Sequence, residues 1–353
     1  MTPLQLPDII GGFLPVGGLA GELLSALIGA FLIANFLLVN TAVAGPWAKR
    51  KITAAFTDRI AVTEVGPFGL LAIVADAVRL LSKELIVPEG VDRPAWDLAP
   101  MLIPFSALLG FAVIPMGNGV QLADPETGLV FAFAASSIAS LGLIMMGYSS
   151  NNKYSLLGGL RAVAANIAYE IPLVITAASV VLFTGTLQMS EIVAAQTSAL
   201  VSVGGVSVPQ WFAFVNPFAF ALFLLANLAE VGRNPFDLPE APTEIVAGYQ
   251  TEYSSVYFVL IYLGEFIHIF LGGALAAVLF LGGGSAPISA LSFVPGFVWF
   301  TVKMWGFYLF TQWARSAVPR LRPDQFMDVG WKGMLVLSFA NLVLTAVIVG
   351  VLA

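Results

Sequence analysis

Val65–Val87 reads VGPFGLLAIVADAVRLLSKELIV, and the number of membrane spans depends on how this stretch is interpreted. The segment is apolar enough to cross a bilayer, yet it carries Asp76, Arg79, Lys83 and Glu84. Asp76, Arg79 and Lys83 recur at helical spacing and share one face, which suits a helix lying in the membrane interface better than a span. The sequence therefore predicts a flat amphipathic helix here.

The rest of the sequence has the composition of a polytopic membrane protein. Hydrophobic residues make up 59% and charged residues 10% of the 353 residues, whereas soluble domains contain roughly 45–50% and 25%. Apolar runs of about 20 residues, the length that crosses the hydrocarbon core, occur at Leu19–Val43, Ala99–Met116, Gly128–Gly147, Arg161–Phe183, Trp211–Glu230, Ser254–Leu281, Val294–Trp313 and Gly333–Leu352. We expect an all-α polytopic fold with eight transmembrane helices and one interfacial amphipathic helix, in a single membrane domain over residues 1–353.

The basic residues favour eight spans over nine. With the flat helix outside the bilayer core, 14 of the 15 Lys and Arg residues fall in odd-numbered loops, and only Lys303 lies within a span. A ninth crossing would move eight basic residues to the side opposite Lys49–Arg59. Because cytoplasmic loops are enriched in Lys and Arg, we expect odd-numbered loops in the cytoplasm and both termini outside. This pattern predicts a multi-pass protein of the plasma membrane.

Several kinds of site are excluded by composition. The chain has no cysteine and one histidine, His268, so it cannot build a thiolate-bound iron–sulfur cluster, a disulfide or a multi-histidine metal site. We therefore expect no metal site and no covalently bound cofactor. The formal net charge of −6 argues against a nucleic-acid partner, because phosphate backbones require clustered Lys and Arg.

An acidic stretch stands out at Leu228–Ser254, LAEVGRNPFDLPEAPTEIVAGYQTEYS. A solvated cytoplasmic loop is the simplest interpretation, but such a loop would favour Lys and Arg over acids. Three prolines prevent one regular helix and favour a loop folded back against the protein. Crowded, partly buried carboxylates bind protons more readily than solvated ones, so the stretch predicts a proton relay. Its charged residues are Glu230, Arg233, Asp237, Glu240, Glu244 and Glu252.

Further ionisable residues lie within predicted spans. Glu170 belongs to the fourth span, and Glu265 and His268 lie about one turn apart in the sixth. An acid inside the membrane is costly and is a functional candidate by default. Tyr169 and Pro172 beside Glu170 suggest a locally opened helix. A lone histidine on a membrane helix is more often a hydrogen-bonded packing residue, so His268 is the weaker candidate.

Four blocks of the sequence carry a family resemblance. They are VGPFGLLAIVADAVRLLSKELIVP (Val65–Pro88), GYSSNNKYSLLGGLRAVAANIAYEIP (Gly147–Pro172), AEVGRNPFDLPEAPTEIVAGYQTEYS (Ala229–Ser254) and RSAVPRLRPDQFMDVGWK (Arg315–Lys332). They resemble the quinone-chamber subunit of respiratory complex I, the membrane subunit at the junction with the hydrophilic arm. The resemblance implies a quinone chamber whose portal lies between the first span, the flat helix and the sixth span. It also implies that cytoplasmic loops 45–98 and 233–253 face the hydrophilic arm.

The resemblance also implies roles for individual residues. For the portal and quinone binding it implies Arg59, Phe68, Ala72, Ala75, Asp76, Arg79 and Lys83. For the proton relay it implies Glu84, Glu170, Glu230, Arg233, Asp237, Glu240, Glu244, Glu252, Glu265, Arg315 and Arg320. The resemblance further implies a quinone of unspecified type as the substrate, iron–sulfur clusters only in partner subunits, and membrane subunits, hydrophilic-arm subunits and the lipid bilayer as the other partners.

The chain departs from the family pattern near the portal. Lys49 in AKRK stands where the family usually has a glutamate. Arg59–Pro67, RIAVTEVGP, lacks a usual Gly-Pro and carries Glu64, and Pro242 replaces an expected acid. These departures affect the quinone type and the proton route and leave the resemblance intact.

Two alternatives remain at this point. The chain could be the homologous subunit of a membrane-bound hydrogenase, or of a complex fed by ferredoxin or a deazaflavin. A stand-alone proton-coupled transporter is the other alternative, although the internal repeats typical of many transporters are not apparent.

Overall fold

The computed structural model describes residues 5–12, 19–117, 119–203, 206–233, 235–237 and 245–352. These residues are predominantly helical. The α-helices are α1 (Leu6–Gly11), α2 (Leu19–Leu38), α3 (Gly45–Phe56), α4 (Leu70–Leu81), α5 (Arg93–Phe111), α6 (Gly128–Ser149), α7 (Lys153–Thr184), α8 (Met189–Ala195), α9 (Phe212–Val215), α10 (Pro217–Glu230), α11 (Ser255–Phe280), α12 (Gly296–Ala317), α13 (Pro323–Asp328) and α14 (Leu335–Leu352). Short 3₁₀ helices lie at Pro67–Gly69, Gly248–Gln250 and Ser289–Leu291.

A two-stranded antiparallel sheet lies between α8 and α9, formed by β1 (Ala199–Val203) and β2 (Val206–Pro209). The sequence analysis did not predict it. The sheet is a small addition to an otherwise helical fold, so the expected fold class is confirmed in its coarse form.

Within the described residues, six helices are long and apolar enough to cross a membrane. Four of them are α5, α6, α7 and α11, and the other two are composite helices. Two predicted spans are not among the six. The 14-residue α10 is too short, and α12 carries Lys303, Gln312 and Arg315. The polytopic membrane character is thus confirmed, whereas the count of eight is not.

The two composite helices each contain a π-helical segment. Leu19–Phe56 is continuous through Val39–Ala44, and Pro323–Val351 is continuous through Val329–Met334. The first helix therefore runs well beyond the predicted end at Val43. Pro46 is tolerated because it follows directly on the π-helical segment, at the start of α3, where the altered hydrogen-bond pattern accommodates a residue without an N–H.

The fifth predicted span is divided into α9 and α10 at Asn216. Pro217 disfavours helical geometry in the residue before it, and Asn216 has a non-helical backbone with φ −133° and ψ 75°. The Asn216 side chain accepts a hydrogen bond from the Ala219 N–H and caps α10. In contrast, α7 continues through Pro172, so the helix opening expected beside Glu170 is not present.

The flat-helix segment forms the 12-residue helix α4. At 1.5 Å per residue this helix is about 18 Å long, too short for a hydrocarbon core of about 30 Å. Gly69 precedes it with φ +80°, and a side chain at this position would collide with the Val62 carbonyl. The length of α4 agrees with its exclusion from the spans.

Helix α11 lies at the centre of the bundle. It packs against α5, α12, α4 and α10, and most of its apolar segment is buried. A second packing series joins α5 to α6, α6 to α7, and α7 to both α10 and α14. Side chains on different faces of α11 can therefore line different cavities.

Lys303 has a defined structural role on α12. Its Nζ donates to the carbonyl oxygens of Leu281, Gly283 and Ser285 at 2.6, 2.8 and 2.7 Å, and it lies 4.2 Å from the centre of the Trp211 ring. A cation is favourable at a helix C-terminus, where backbone carbonyls lack helical partners. Lys303 thereby caps the end of α11. This role accounts for the presence of a basic residue within a predicted span.

Candidate functional site

A cavity of about 70 Å³ lies among α5, α6, α7, α11 and the segment following α10. By its lining we call it the carboxylate cavity. Its charged residues and its histidine are Glu170, Glu230, Arg233, Glu265 and His268. The volume accommodates several water molecules, since one water needs about 10–15 Å³ measured in this way. Three acids that the sequence places in separate segments thus share one polar space.

Glu265 is the most extensively hydrogen-bonded of these acids. Arg233 Nη2 donates to its Oε2 at 3.0 Å, while the Tyr249 hydroxyl and Gln250 Nε2 donate to its Oε1 at 2.7 and 2.8 Å. The side chains of Arg233 and Glu265 are only 4% and 12% exposed. A buried ion pair depends on such additional hydrogen bonds to offset its desolvation. The loop containing Tyr249 is therefore tied to the middle of α11 through one carboxylate.

Glu170 lies on α7 and accepts a hydrogen bond from the Ser137 hydroxyl of α6. One helical turn away, Asn166 Nδ2 donates to Ser140 Oγ at 3.0 Å. His268 on α11 lies 3.0 Å from Ser106 Oγ and 3.3 Å from the Ile103 carbonyl oxygen. Hydroxyl, amide and imidazole groups thus surround the acids and can hold ordered water or protons between them.

The described parts of the acidic stretch fold back onto the bundle, as the prolines predict. Phe236 is buried, with its ring 5.5 Å from that of Tyr169 and 5.4 Å from that of Phe326. Asp237 accepts from Arg320 Nη2 at 2.8 Å and is itself buried. The acidic stretch is therefore not a freely solvated loop at these positions.

The end of the acidic stretch is held by another set of contacts. Glu252 accepts from Asn152 Nδ2 at 2.6 Å, which joins it to the residue that caps α7. Tyr253 stacks on Trp96 with ring centres 4.7 Å apart and donates to the Trp96 carbonyl at 3.2 Å. Burial raises the pKa of Tyr253 to about 12, so its hydroxyl keeps the donated proton throughout the physiological range.

A second cavity of about 180 Å³ lies between α3, α4 and α11, where the resemblance leads us to expect the portal, and from this position we call it the portal cavity. Its charged residues are Lys49, Arg50 and Asp76, and Tyr262 adds a hydroxyl group. Lys49 Nζ donates to the Tyr262 hydroxyl at 2.7 Å, and Arg50 Nη2 pairs with Asp76 Oδ2 at 2.6 Å. The remaining lining is Thr41, Ala42, Pro46, Ile73, Ala77, Leu80, Val259 and Leu263. The cavity combines an apolar wall with a few fixed polar groups, as small-molecule sites do.

Most of the residues expected to bind quinone lie outside the lining of the portal cavity. Of the residues predicted to bind quinone, Asp76 lines the cavity. Ala72 is partly buried but does not line the cavity. The other five residues are exposed, namely Arg59, Phe68, Ala75, Arg79 and Lys83. The side of α4 that lines the cavity lies toward α3 and α11 and carries Ile73, Asp76, Ala77 and Leu80.

The predicted relay residues are distributed over several places. Glu170, Glu230, Arg233 and Glu265 line the carboxylate cavity. Asp237, Arg320 and Glu252 lie in the contacts described above, Arg315 is partly buried on α12, and Glu84 is exposed. Glu240 and Glu244 lie outside the described residues.

The uncharged polar members of both cavities were not predicted from the sequence. They are Ser136, Ser137, Ser140, Asn166 and Tyr249 in the carboxylate cavity and Thr41 and Tyr262 in the portal cavity. One signal was available, because Ser136, Ser137 and Ser140 recur at helical spacing within an otherwise apolar run. Within the described ranges, no group of three or more His, Cys, Asp or Glu residues could hold a metal ion.

Comparison with known proteins agrees with the sequence resemblance. Residues 28–346 match the family described as NADH dehydrogenase. Relatives from Bacillus thuringiensis, Bacillus cereus and Bacillus anthracis are 42% identical to this chain over 348 residues, and each is named as the NADH-quinone oxidoreductase subunit designated H. Each alignment covers 98% of this chain and 98% of the relative. The chain therefore belongs to the NADH dehydrogenase family, as a relative of this membrane subunit of NADH-quinone oxidoreductase.

Proposed function

We propose that this chain forms the quinone-binding chamber of a complex I-type oxidoreductase and links quinone reduction to proton translocation. The single observation that carries the proposal is the arrangement of two cavities on α11. Val259, Tyr262 and Leu263 contribute to the portal cavity, and Glu265 and His268 contribute to the carboxylate cavity. One helix thus joins a space suited to a quinone with a space suited to protons.

The portal cavity has the chemistry that a quinone requires. A quinone has a planar ring with two carbonyl acceptors and a long apolar tail. Ile73, Ala77 and Leu80 offer an apolar wall, while Lys49 and Tyr262 place donor groups beside it. Partner subunits supply the electrons, because a chain with no cysteine cannot hold a thiolate-bound iron–sulfur cluster of its own. Reduction to the quinol takes up two electrons and two protons.

The carboxylate cavity provides proton-binding groups close to that chemistry. Glu170 and Glu230 line the same cavity as the Arg233–Glu265 pair. In a low dielectric, a change of charge on one acid alters the proton affinity of its neighbours. The proton demand of quinone reduction is therefore answered by protonation changes among these acids.

We propose eight spans for the assembled protein, with α10 and α12 completing the six long apolar helices. Lys303 supports a span at α12, because its charge is satisfied by three carbonyls at the end of α11. The expected placement is in the plasma membrane with both termini outside. The segments 45–98 and 233–253 then lie on the cytoplasmic side, where they meet the hydrophilic-arm subunits.

The names of the relatives favour NADH as the ultimate electron donor over hydrogen, ferredoxin or a deazaflavin. Family membership also argues against a stand-alone transporter.

The proposal is tested by preparing the complex with and without this chain. We expect the depleted complex to oxidise the donor with a water-soluble acceptor such as ferricyanide but to lose quinone reduction. Adding back the chain should restore quinone reduction. Quinone reduction at the full rate by the depleted complex would contradict the proposed chamber.

A further inference from the structure

The carboxylate cavity and the portal cavity meet at one buried aromatic ring. Phe266 on α11 is fully buried. Lys49 Nζ of the portal cavity lies 5.5 Å from the centre of its ring, and Arg233 Cζ of the carboxylate cavity also lies 5.5 Å from that centre. Both cations are within the range over which an aromatic quadrupole attracts positive charge.

Each cation also belongs to a defined network on its own side. Lys49 donates to Tyr262, whose ring lies 4.9 Å from that of Phe266. Arg233 donates to Glu265, the acid held by Tyr249 and Gln250. The contacts therefore run without interruption from Tyr262 through Lys49, Phe266 and Arg233 to Glu265.

We infer that Phe266 couples occupancy of the portal cavity to the charge state of the carboxylate cavity, with Lys49 as the residue that senses the ligand. The inference rests on the proposed function, because it takes the portal ligand to be a quinone or quinol. A quinone oxygen in the portal cavity competes with Tyr262 for the Lys49 ammonium. Movement of Lys49 changes the electrostatic interaction of the ring with Arg233. This change alters the strength of the ion pair between Arg233 and Glu265.

The coupling depends on the positive charge of Lys49, because a neutral or acidic side chain at this position would not be attracted to the face of the ring. Two cations near one buried ring also repel each other, so displacement of one changes the electrostatic energy of the other. By linkage, any effect of the ligand on Glu265 implies an equal effect of Glu265 protonation on ligand affinity.

The test uses the complete complex carrying Lys49→Met, Phe266→Leu or both. Lys49→Met should raise the Michaelis constant for quinone by about 10- to 100-fold, the range expected for loss of a hydrogen bond to a charged group. Both single variants should lower the number of protons translocated per quinol formed while electron transfer from the donor to quinone continues. The double variant should be no worse than the single ones, because both changes break the same connection.

Phe270→Leu is the matched control. Phe270 is also fully buried on α11, one turn further along, and it stacks on Tyr308 with ring centres 4.7 Å apart. It should leave the number of protons per quinol unchanged even if it lowers the yield of complex. Phe266→Tyr keeps the aromatic ring and should retain coupling. It is the second variant to compare with the natural chain if Phe266→Leu does not assemble.

Two results would overturn the inference. One is an unaltered number of protons per quinol in both single variants, Lys49→Met and Phe266→Leu. The other is strict additivity of the two changes, which would show that Lys49 does not act through the ring. Either result leaves the proposed chamber standing, because that proposal is tested by depleting the complex of this chain.

Discussion

The carboxylate of Glu265 binds three side chains from two other segments of the protein. Arg233 follows α10, and Tyr249 and Gln250 belong to the loop before α11. Because the ion pair with Arg233 is buried, the charge of Glu265 matters more than its shape. Its substitution should therefore affect both the loop and the cavity.

Glu265→Gln keeps the size of the side chain and removes its charge. We expect a loss of about 3–5 kcal/mol in stability, because Arg233 loses the negative charge that faces it within the protein. Tyr249→Phe removes one hydrogen bond and should cost about 1 kcal/mol. The thermal stability and yield of the assembled complex measure both effects, and equal effects of the two variants would contradict this ranking.

Glu170 is the acid for which we expect the largest loss of function with the least structural damage. Glu170→Gln retains an acceptor for Ser137 but cannot release a proton, so quinone reduction and proton translocation should both fall by about 100-fold. Glu191 is an exposed glutamate on α8, and Glu191→Gln is the control that should retain activity. Normal turnover and translocation in Glu170→Gln would remove Glu170 from the relay.

Acids could be identified as candidates from sequence more readily than their partners. A carboxylate in an apolar span is costly, so Glu170 and Glu265 were evident at once. Ser137 and Asn166 are not costly in a helix, because such side chains can bond to nearby backbone carbonyls. Tyr249 lies in a loop whose path depends on tertiary packing. The partners therefore became visible only when the helices were in place.

Helix α4 shows what periodicity can and cannot predict about an element. The spacing of Asp76, Arg79 and Lys83 predicts a helix within Val65–Val87, and the structure has a shorter helix, Leu70–Leu81, that ends before Lys83. The spacing could not indicate which apolar face packs against α3 and α11, because Val74 and Val78 are as apolar as Ile73 and Leu80. Packing buries Ile73 and leaves Val74 and Val78 exposed. Similarly, the break between α9 and α10 depends on Asn216 and Pro217 within an otherwise continuous apolar run.

The orientation of α4 predicts a difference between two alanines. Ala77 lines the portal cavity, whereas Ala75 lies on the exposed face. Ala77→Phe should raise the Michaelis constant for long-tailed quinones by about tenfold, because its ring would occupy space that the quinone tail needs, and tenfold corresponds to about 1.4 kcal/mol of binding free energy. Ala75→Phe is the matched control and should change it little. Steady-state kinetics with long- and short-tailed quinones measure the difference, and the reverse order would place the portal on the other face.

In the part of the chain that the structure describes, the distribution of basic residues and the helix lengths support the same arrangement except at two helices. The basic-residue count depends on charge alone, while the helix lengths depend on hydrogen-bonded geometry. They agree that α4 does not span. They differ at α10 and α12, where a broken helix and several polar residues obscure the spans. A topology measurement is needed at these two helices.

Single cysteines provide that measurement, because the natural chain has none. Thr197, Ala290, Glu89 and Asp324 are all exposed. In cells, a membrane-impermeant maleimide should label Thr197→Cys and Ala290→Cys from outside, and Glu89→Cys and Asp324→Cys only after the membrane is opened. Labelling of Ala290→Cys and Asp324→Cys from one side would mean that α12 does not cross.

A photoreactive quinone used on the assembled complex examines most directly whether this chain forms the chamber. The label should attach to peptides containing Lys49, Ile73 to Leu80, and Val259 to Leu263, which line the portal cavity. Excess unlabelled quinone should abolish this labelling. Competable labelling confined to other subunits, with none on these three segments, would contradict the placement of the quinone chamber in this protein.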